Sequence, residues 1–382
     1  VGKETLSDLK KFSRMNYNQK LLPKVEFTNM NFKEVFLNDL EDISNKFFME
    51  LFEDKLIIID NKGKTFFIKK KFITNSESLN WTKVNTNLNP DNVRITDVLV
   101  LKNEIYISYQ KLDLKNECNT VNISKASLLN KKLNFEIFFT SSECIDFKAG
   151  RMASYNHNGK EGILLTTNSF CNVKELAQDN NSLIGKILFI ELETSNYIIF
   201  SKGHRNPQGL TTVNNLILSA EHGPTGGDEI NLIQFGQNYG WPISSYGEPD
   251  NNCSRESSRT YEYFKSHSKY GFIEPIYAFV PSIGINQIIE VPDNFSEYWK
   301  NNFLVTSLAN GTIYRILLDK NYEKLFYHEK IFIGKRMRDI IYSDEFNVFL
   351  IALEGEGKIS FPSKGSYGTG KNPYPSIGIL SN

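Results

Sequence analysis

The segment GHRNPQGL, residues 203–210, sets a His, an Arg, an Asn and a Gln around one Pro and two Gly. Proline fixes its own φ, so the donors sit on a stiff turn. Arg205 offers a planar fork suited to a carboxylate, with Asn206 and Gln208 as short polar arms beside it. Further on, EHGPTGGDEINLIQFGQNYGWP at 221–242 must bend sharply at Gly223-Pro224 and again at Gly226-Gly227. Asp228 and Glu229 follow at once. Turn carbonyls next to carboxylates suit a hard cation such as calcium; the plain alternative is a β-turn carrying two solvated acids. In GKRMRD at 334–339, Arg336 and Arg338 are two residues apart, so on an extended strand both point the same way. A solvated strand edge is the alternative there. The chain has no P-loop, no GxGxxG after a strand, and no HExxH or CxxC spacing.

The elements that must hold these segments repeat along the chain. A short polar turn, a strongly β apolar run, a second turn and a second run recur six times. The copies are DKLIIIDNKGKTFFIKK from Asp54, NEIYISYQ from Asn103, EGILLTTN from Glu161 with IGKILFIEL, NLILSAEHG from Asn215 with DEINLIQF, NNFLVTSLANGTIYRILL from Asn301, and NVFLIALEGEGKISF from Asn347. Ile, Leu, Val, Phe and Tyr bounded by Gly, Asn and Asp mark strands. Helical periodicity shows only weakly, at TLSDLKKFSR near the N-terminus. Units of roughly 50 residues with several strands each are the mark of propeller blades, and a ring of them must close to bury both faces. The predicted fold is all-β: a six-bladed β-propeller over 31–382, after an N-terminal extension at 1–30. The long gap between the fourth and fifth copies predicts an insertion around 236–275. Its Trp241, Tyr261, Tyr263 and Tyr270 read either as a stacking floor for a sugar or as the insertion's own core. Tyr277 and Phe279, just beyond it, read as core.

Lys plus Arg and Asp plus Glu both number 44, so net charge gives no reason to expect nucleic acid or an acidic membrane surface as partner. No apolar run approaches the ~18–20 residues of a membrane-spanning helix. Because the chain starts at Val1, an upstream signal or anchor would be invisible. Cys118, Cys144, Cys171 and Cys253 sit in polar surroundings, and an even count fits two disulfides in an oxidising compartment. Of the three pairings, Cys118 with Cys144 is the first expectation because they flank one β segment; four free thiols remain the alternative.

Four segments taken in order, GHRNPQGL, EHGPTGGDEINLI, NYGWP and GKRMRDI, resemble the soluble pyrroloquinoline quinone (PQQ)-dependent glucose/sorbosone dehydrogenases, periplasmic or extracellular six-bladed propellers that oxidise aldoses. The likeness is densest over about 200–245, fair over 300–345, and thin before 140, where only the repeat supports it. It implies that Arg205 and Asn206, with Gln208 nearby, and Arg336 and Arg338 face the quinone. It implies that calcium is held by carbonyls of Gly223 and Pro224, and that ion binding also involves Glu229 and Tyr239. PQQ carries three carboxylates, which matches the arginines. A small sugar or alcohol would be the substrate.

Two positions depart from the family pattern. In ECIDFKAGRM, Gly150-Arg151 is in register and Asp146 is present, but the residue at the place of the family's proton-abstracting His is Phe147. Phe has no lone pair to accept a proton, and Lys148 beside it would face the other way on a strand. In TSLANGTIYRI, Ala309 stands where the resemblance implies a cofactor-facing Lys. The sequence therefore supports two readings: a PQQ- and calcium-dependent sugar dehydrogenase with a degraded site, or a non-catalytic binding propeller of the same lineage. A calcium-dependent lactonase-type propeller would need several acids and an Asn facing the ring's centre, and no such set is legible in the sequence.

Overall fold

The computed structural model describes residues 30–40, 42–74, 79–113, 115, 118–144, 150–169, 171–249, 263–355, 358–361, 365–368 and 374–382. Six four-stranded antiparallel sheets are arranged as blades of a propeller. Their innermost strands are Phe47–Phe52, Val93–Leu101, Met152–His157, Pro207–Val213, Ile285–Glu290 and Met337–Ser343, which we call blades 1 to 6. Each innermost strand touches the next, and blade 6 returns to blade 1, so the ring closes. The outermost strand of blade 6 is Asn31–Phe36, paired with the C-terminal strand Ser376–Ser381. The ends of the chain thus complete one sheet.

The two-residue period of each strand decides which neighbour a side chain serves. Phe47 and Met49 join a core with Leu350 and Ala352 of blade 6, whereas Phe48 between them joins Ile95 and Ile107 of blade 2. The same division places one apolar cluster in each of the six gaps between blades. Short turns join the first two strands of five blades and residues 291–301 join those of blade 5, with left-handed residues in these connections at Glu53, Lys102, Asn158, Asn215, Asn301 and Asn347. Asn tolerates that conformation better than most residues, which explains why four of the six connections carry one.

The sequence repeat marks the second and third strands of blades, and one copy needs correction. Lys358–Phe361, the second run expected for the sixth copy, pairs with Gly365–Gly368 in a separate hairpin. The third strand of blade 6 is Ser376–Ser381 instead. That strand pairs on both sides, with Val348–Leu353 and with Asn31–Phe36.

Between Ile233 and Tyr277, the chain leaves blade 4. Its described parts run back along the ring through short bridges at Lys202–Asn238, Thr225–Glu248 and Ser244–Phe264. Residues 250–262, with Tyr261 and Cys253, and the N-terminal 1–29 lie outside the described residues. Trp241 and Tyr263 are buried against Ala177, their ring centres 5.2 Å apart. Tyr270 stacks on Phe264 at 3.8 Å, outside that core. Phe279 is buried and Tyr277 packs at the edge of the same cluster, as expected of core residues.

Cys118 and Cys144 form a disulfide, with Cα atoms 5.3 Å apart and a sequence separation of 26. The crosslink closes the outer half of blade 2. Loop-closure entropy puts its contribution at about 2–4 kcal/mol. Cys118→Ala with Cys144→Ala is expected to lower the unfolding free energy by that amount in denaturant titration; an unchanged midpoint would contradict it.

Candidate functional site

All six innermost strands begin at the same end of the channel, and the residues just before or at those starts meet there. The GHRNPQGL turn is one of them. Its stiffness comes less from Pro207 than from Glu221, which ends the second strand of blade 4. Glu221 accepts the backbone N–H of Arg205, the N–H of Asn206 at 3.1 Å and His204 Nδ1 at 3.0 Å. His204 lies flat on Tyr239, ring centres 4.7 Å apart, and its Nε2 meets Ser201 Oγ at 2.8 Å. The histidine is a fully buried strut. Gly203, at φ 78°, has no room for a Cβ, which would stand 2.2 Å from Asn238 Oδ1. On this frame the Arg205 guanidinium donates to the His222 carbonyl at 3.2 Å and lies 5.4 Å over Trp241. Gln208 Nε2 donates to Asn206 Oδ1 at 2.9 Å.

Trp241 is itself supported from below. Its indole N–H donates to the Ser169 carbonyl at 2.7 Å. Ala177, packed against it, ends a short 3₁₀ turn, Cys171–Ala177, whose carbonyls are gathered by Lys186. The fully buried Lys186 ammonium donates to Leu176 O at 2.8 Å, Ala177 O at 3.1 Å and Ile184 O. Burial pushes its pKa down to about 8. A lysine whose folded value lies below its unfolded 10.5 opposes folding most at low pH, and that opposition fades as pH rises from about 8 toward 10.5. Stability should therefore climb by up to about 1.4 kcal/mol per pH unit between pH 8 and 9.5, and the climb should vanish in Lys186→Met. Equal slopes in the two proteins would refute this.

Arg336 and Arg338 converge on one buried carboxylate, Glu354, at the end of the second strand of blade 6. Arg336 Nε reaches Glu354 Oε2 at 2.7 Å and Arg338 Nε reaches Oε1 at 2.8 Å. Burial raises the Glu354 pKa, but the two guanidinium groups outweigh it and hold the carboxyl below its ordinary value. Arg336 also donates to the Leu308 carbonyl at 2.9 Å. The next residue, Ala309, packs against Gly284, where an added Cβ would come within 2.8 Å of the alanine's own.

At the centre of the ring lies Arg151, which the sequence reading noted only as part of a Gly-Arg pair. Its Nη1 meets Asp97 at 2.7 Å and Asp339 at 3.2 Å, its Nη2 donates to the Arg338 carbonyl at 2.6 Å, and its Nε donates to the Gln208 carbonyl at 2.7 Å. Nη2 is also 3.5 Å from Asn286, and the guanidinium stands 5.2 Å from the Phe48 ring. These partners come from blades 2, 6, 4, 5 and 1, and Arg151 precedes blade 3. Glu50, further in, is held strongly toward its neutral form by burial and by Asp339 and Asp97. The channel thus does hold inward acids and an Asn, which the sequence reading missed; a guanidinium is their counterion. They were hidden because each sits inside a strand that reads as apolar.

The cation turn divides into two parts. No hydrogen bond reaches the carbonyls of Gly223 or Pro224 among the described residues, so both are available to a ligand. Asp228 is spent on structure: it accepts from Gly223 N–H at 3.1 Å, from Ser282 Oγ, and from Ile283 and Ile285 N–H, both at 2.9 Å, clipping blade 4 to blade 5. Glu229 and Tyr239 are bridged by His267, whose Nε2 is 3.4 Å from Glu229 and whose Nδ1 is 3.0 Å from the Tyr239 carbonyl. Burial lowers the His267 pKa, and the Glu229 carboxylate more than offsets it. The Tyr239 hydroxyl donates to Leu232 O at 2.7 Å and accepts from Gln234 N–H at 2.8 Å. A cation at Glu229 and Tyr239 would have to displace an imidazole; one at Gly223 and Pro224 would not.

Six of the nine site residues of the sequence reading line one of two hollows, and Asn206, Pro224 and Arg336 line neither. Arg205, Gly223, Glu229 and Tyr239 line a small one of about 10 Å³, and Gln208 and Arg338 line a larger one of about 260 Å³ above Arg151. Asp146, Phe147 and Lys148 lie outside the described residues. Glu221 and Glu354 were missed, although a signal existed. Each is a lone acid closing an apolar run, in NLILSAEHG and NVFLIALEG.

Comparison with known proteins agrees with this architecture. A family profile described as Glucose / Sorbosone dehydrogenase matches residues 92–360. Quinoprotein glucose dehydrogenase B of Acinetobacter calcoaceticus is 27% identical over 255 residues, covering 51% of this chain and 53% of that protein. An aldose sugar dehydrogenase of Escherichia coli is 25% identical over 237 residues, 55% of this chain and 60% of the relative. An uncharacterised Synechocystis protein is 28% identical over 202 residues, 49% and 47% of the two chains. The chain thus spans about half the length of the curated relatives it matches. Among solved structures, the apo aldose sugar dehydrogenase of Escherichia coli superposes with a TM-score of 0.71 at 17% identity, over 92% of this chain and 99% of that one. The PQQ-bound aldose sugar dehydrogenase of Streptomyces coelicolor does so at 0.63 and 15%, over 92% and 98%. At these identities the likeness concerns the fold.

Proposed function

The chain belongs to the glucose/sorbosone dehydrogenase family, and from that premise we propose that it binds PQQ at the channel mouth and has lost most of the family's sugar-oxidising power. The observation that carries the reading is the gathering of guanidinium groups at one end of the ring. Arg336 and Arg338 both reach Glu354, and Arg205 stands over Trp241 on a frame built around Glu221. Such a place suits a tricarboxylate.

Arg205, Asn206, Gln208, Arg336 and Arg338 would hold the quinone, and the Gly223 and Pro224 carbonyls a calcium ion beside it. A bound quinone would supply a two-electron acceptor. The chain's own part is to orient a sugar, exclude water and take a proton from the hydroxyl being oxidised. Phe147 cannot take that proton, and loss of a general base costs about 10²–10⁴ in rate. Substrates would be small sugars or alcohols. The Cys118–Cys144 disulfide favours an oxidising location, periplasmic or extracellular.

The test is reconstitution of the purified protein with PQQ and calcium, followed by quinone absorbance and aldose-dependent dye reduction. Quinone binding with slow turnover is expected, and Phe147→His should then raise turnover by about 10²-fold. Absence of quinone binding would retire the proposal. It would leave a second reading, a propeller that binds another ligand, which the engagement of Arg336 and Arg338 by Glu354 and the presence of Ala309 favour.

A further inference from the structure

The larger hollow, about 260 Å³, opens between the starts of blades 1 and 2. Four cations line it, Lys46, Arg94, Arg151 and Arg338, and no carboxylate does among the described residues. Two of the four are answered elsewhere. Asp97 and Asp339 lie against Arg151, and Glu354 against Arg338. Lys46 and Arg94 make no ion pair among the described residues, although Glu354 is near enough to Lys46 to act on it through space. Lys46, the residue before the inner strand of blade 1, makes no hydrogen bond with its ammonium there and reaches solvent. Among the described residues, Arg94 is anchored by one nitrogen only. Its Nη1 donates to the carbonyls of Val93 at 2.7 Å, Pro90 at 3.0 Å and Asp91 at 3.4 Å, leaving the rest of the fork toward the hollow.

We infer that Lys46 and Arg94 form an anion subsite that takes a carboxylate of the ligand entering the channel mouth. Its supports are the shape of the hollow, the absence of a lining acid among the described residues and the amide side chains of Gln110 and Gln208 on its wall. A positive field is felt there: partial burial and then Arg338 lower the Lys46 pKa. Lysine and arginine at a hollow's rim with amides beside them recognise a planar, doubly accepting anion rather than a neutral polyol. Two ligands carry that chemistry, the quinone and an acidic sugar. The inference rests on the reading of the mouth as the ligand site, and it adds two residues and a charge preference to it.

The experiment is calorimetric titration of the apo protein with three probes, D-glucuronate, D-glucose and PQQ, using wild type, Lys46→Gln, Arg94→Gln and Lys46→Glu. Lys102→Gln, an exposed change at a remote surface pair, serves as the control. Glucuronate is expected to bind at least tenfold tighter than glucose. Lys46→Gln and Arg94→Gln should each weaken it about 5–50-fold, Lys46→Glu more, with glucose and the control unchanged. If glucuronate gains nothing over glucose but PQQ weakens in both variants, the subsite stands and its anion is the quinone's. If neither variant weakens either anion, the subsite is refuted, even where wild type binds PQQ and the proposed function survives. If wild type fails to bind PQQ, that function falls, while the glucuronate arm still decides the subsite. Because Arg94 also ties its own turn, Lys46→Gln is the deciding variant should Arg94→Gln fold poorly.

Discussion

Arg151→Met is expected to destabilise the protein by about 3–5 kcal/mol, the range for leaving a buried charge without its partner. Removing this guanidinium leaves Asp97 and Asp339 facing each other at the hub, and strips the Arg338 and Gln208 carbonyls of their donor. Even with Arg151 present, burial pushes Asp97 up to about 6, with Arg151 pulling it down and Asp339 adding to the push. A carboxyl whose folded value is raised takes up a proton on folding, so its contribution to stability falls as pH rises from its unfolded value, 3.8, through about 6. Without Arg151, the proton is held more tightly still. The gap between wild type and variant should therefore be wide at pH 8 and narrower at pH 5. Adding Asp97→Asn to Arg151→Met should recover part of the loss at pH 8. Denaturant unfolding at the two pH values checks all three statements; a variant as stable as wild type at pH 8 would show that the hub is not held by this charge cluster.

Glu221→Ala is expected to damage the mouth itself. It removes the acceptor for two backbone N–H groups and for His204, each buried group left unsatisfied costing about 1–3 kcal/mol, so a loss near 3 kcal/mol is expected. More telling is the ligand readout. Arg205 and Asn206 are placed by the turn that Glu221 holds, so PQQ affinity should fall more than tenfold at a temperature where the variant is fully folded. Glu354→Gln provides the contrast. It releases Arg336 and Arg338 from their shared carboxylate, and should tighten anion binding while weakening the fold. If Glu221→Ala binds PQQ as wild type does, Arg205 and Asn206 are not part of the grip.

Ring closure illustrates why some features were legible and others were not. Strand runs of Ile, Leu, Val and Phe, separated by Asn-bearing turns, repeat at blade length, and local chemistry alone sets those turns and that alternation. The repeat, the blade number and the family could be read for that reason, as could the Cys118–Cys144 pair, which flanks the two outer strands of one blade. Lys358–Phe361 looked like one more blade strand because its composition is right. Its exclusion follows from the pairing of Ser376–Ser381 with both Val348–Leu353 and Asn31–Phe36, a contact across almost the whole chain.

By itself the sequence determined a closed wheel of six sheets and the identity of the donors on its turns, because strand alternation and turn geometry are short-range. Only the tertiary structure decided what those donors face. Arg205 owes its frame to Glu221 at the end of a neighbouring strand, Arg336 and Arg338 owe theirs to Glu354, and Arg151 gathers partners from five other blades. Charges buried at a hub interact over a few ångströms while their residues stand up to 188 positions apart, and no local pattern in a single chain records that proximity.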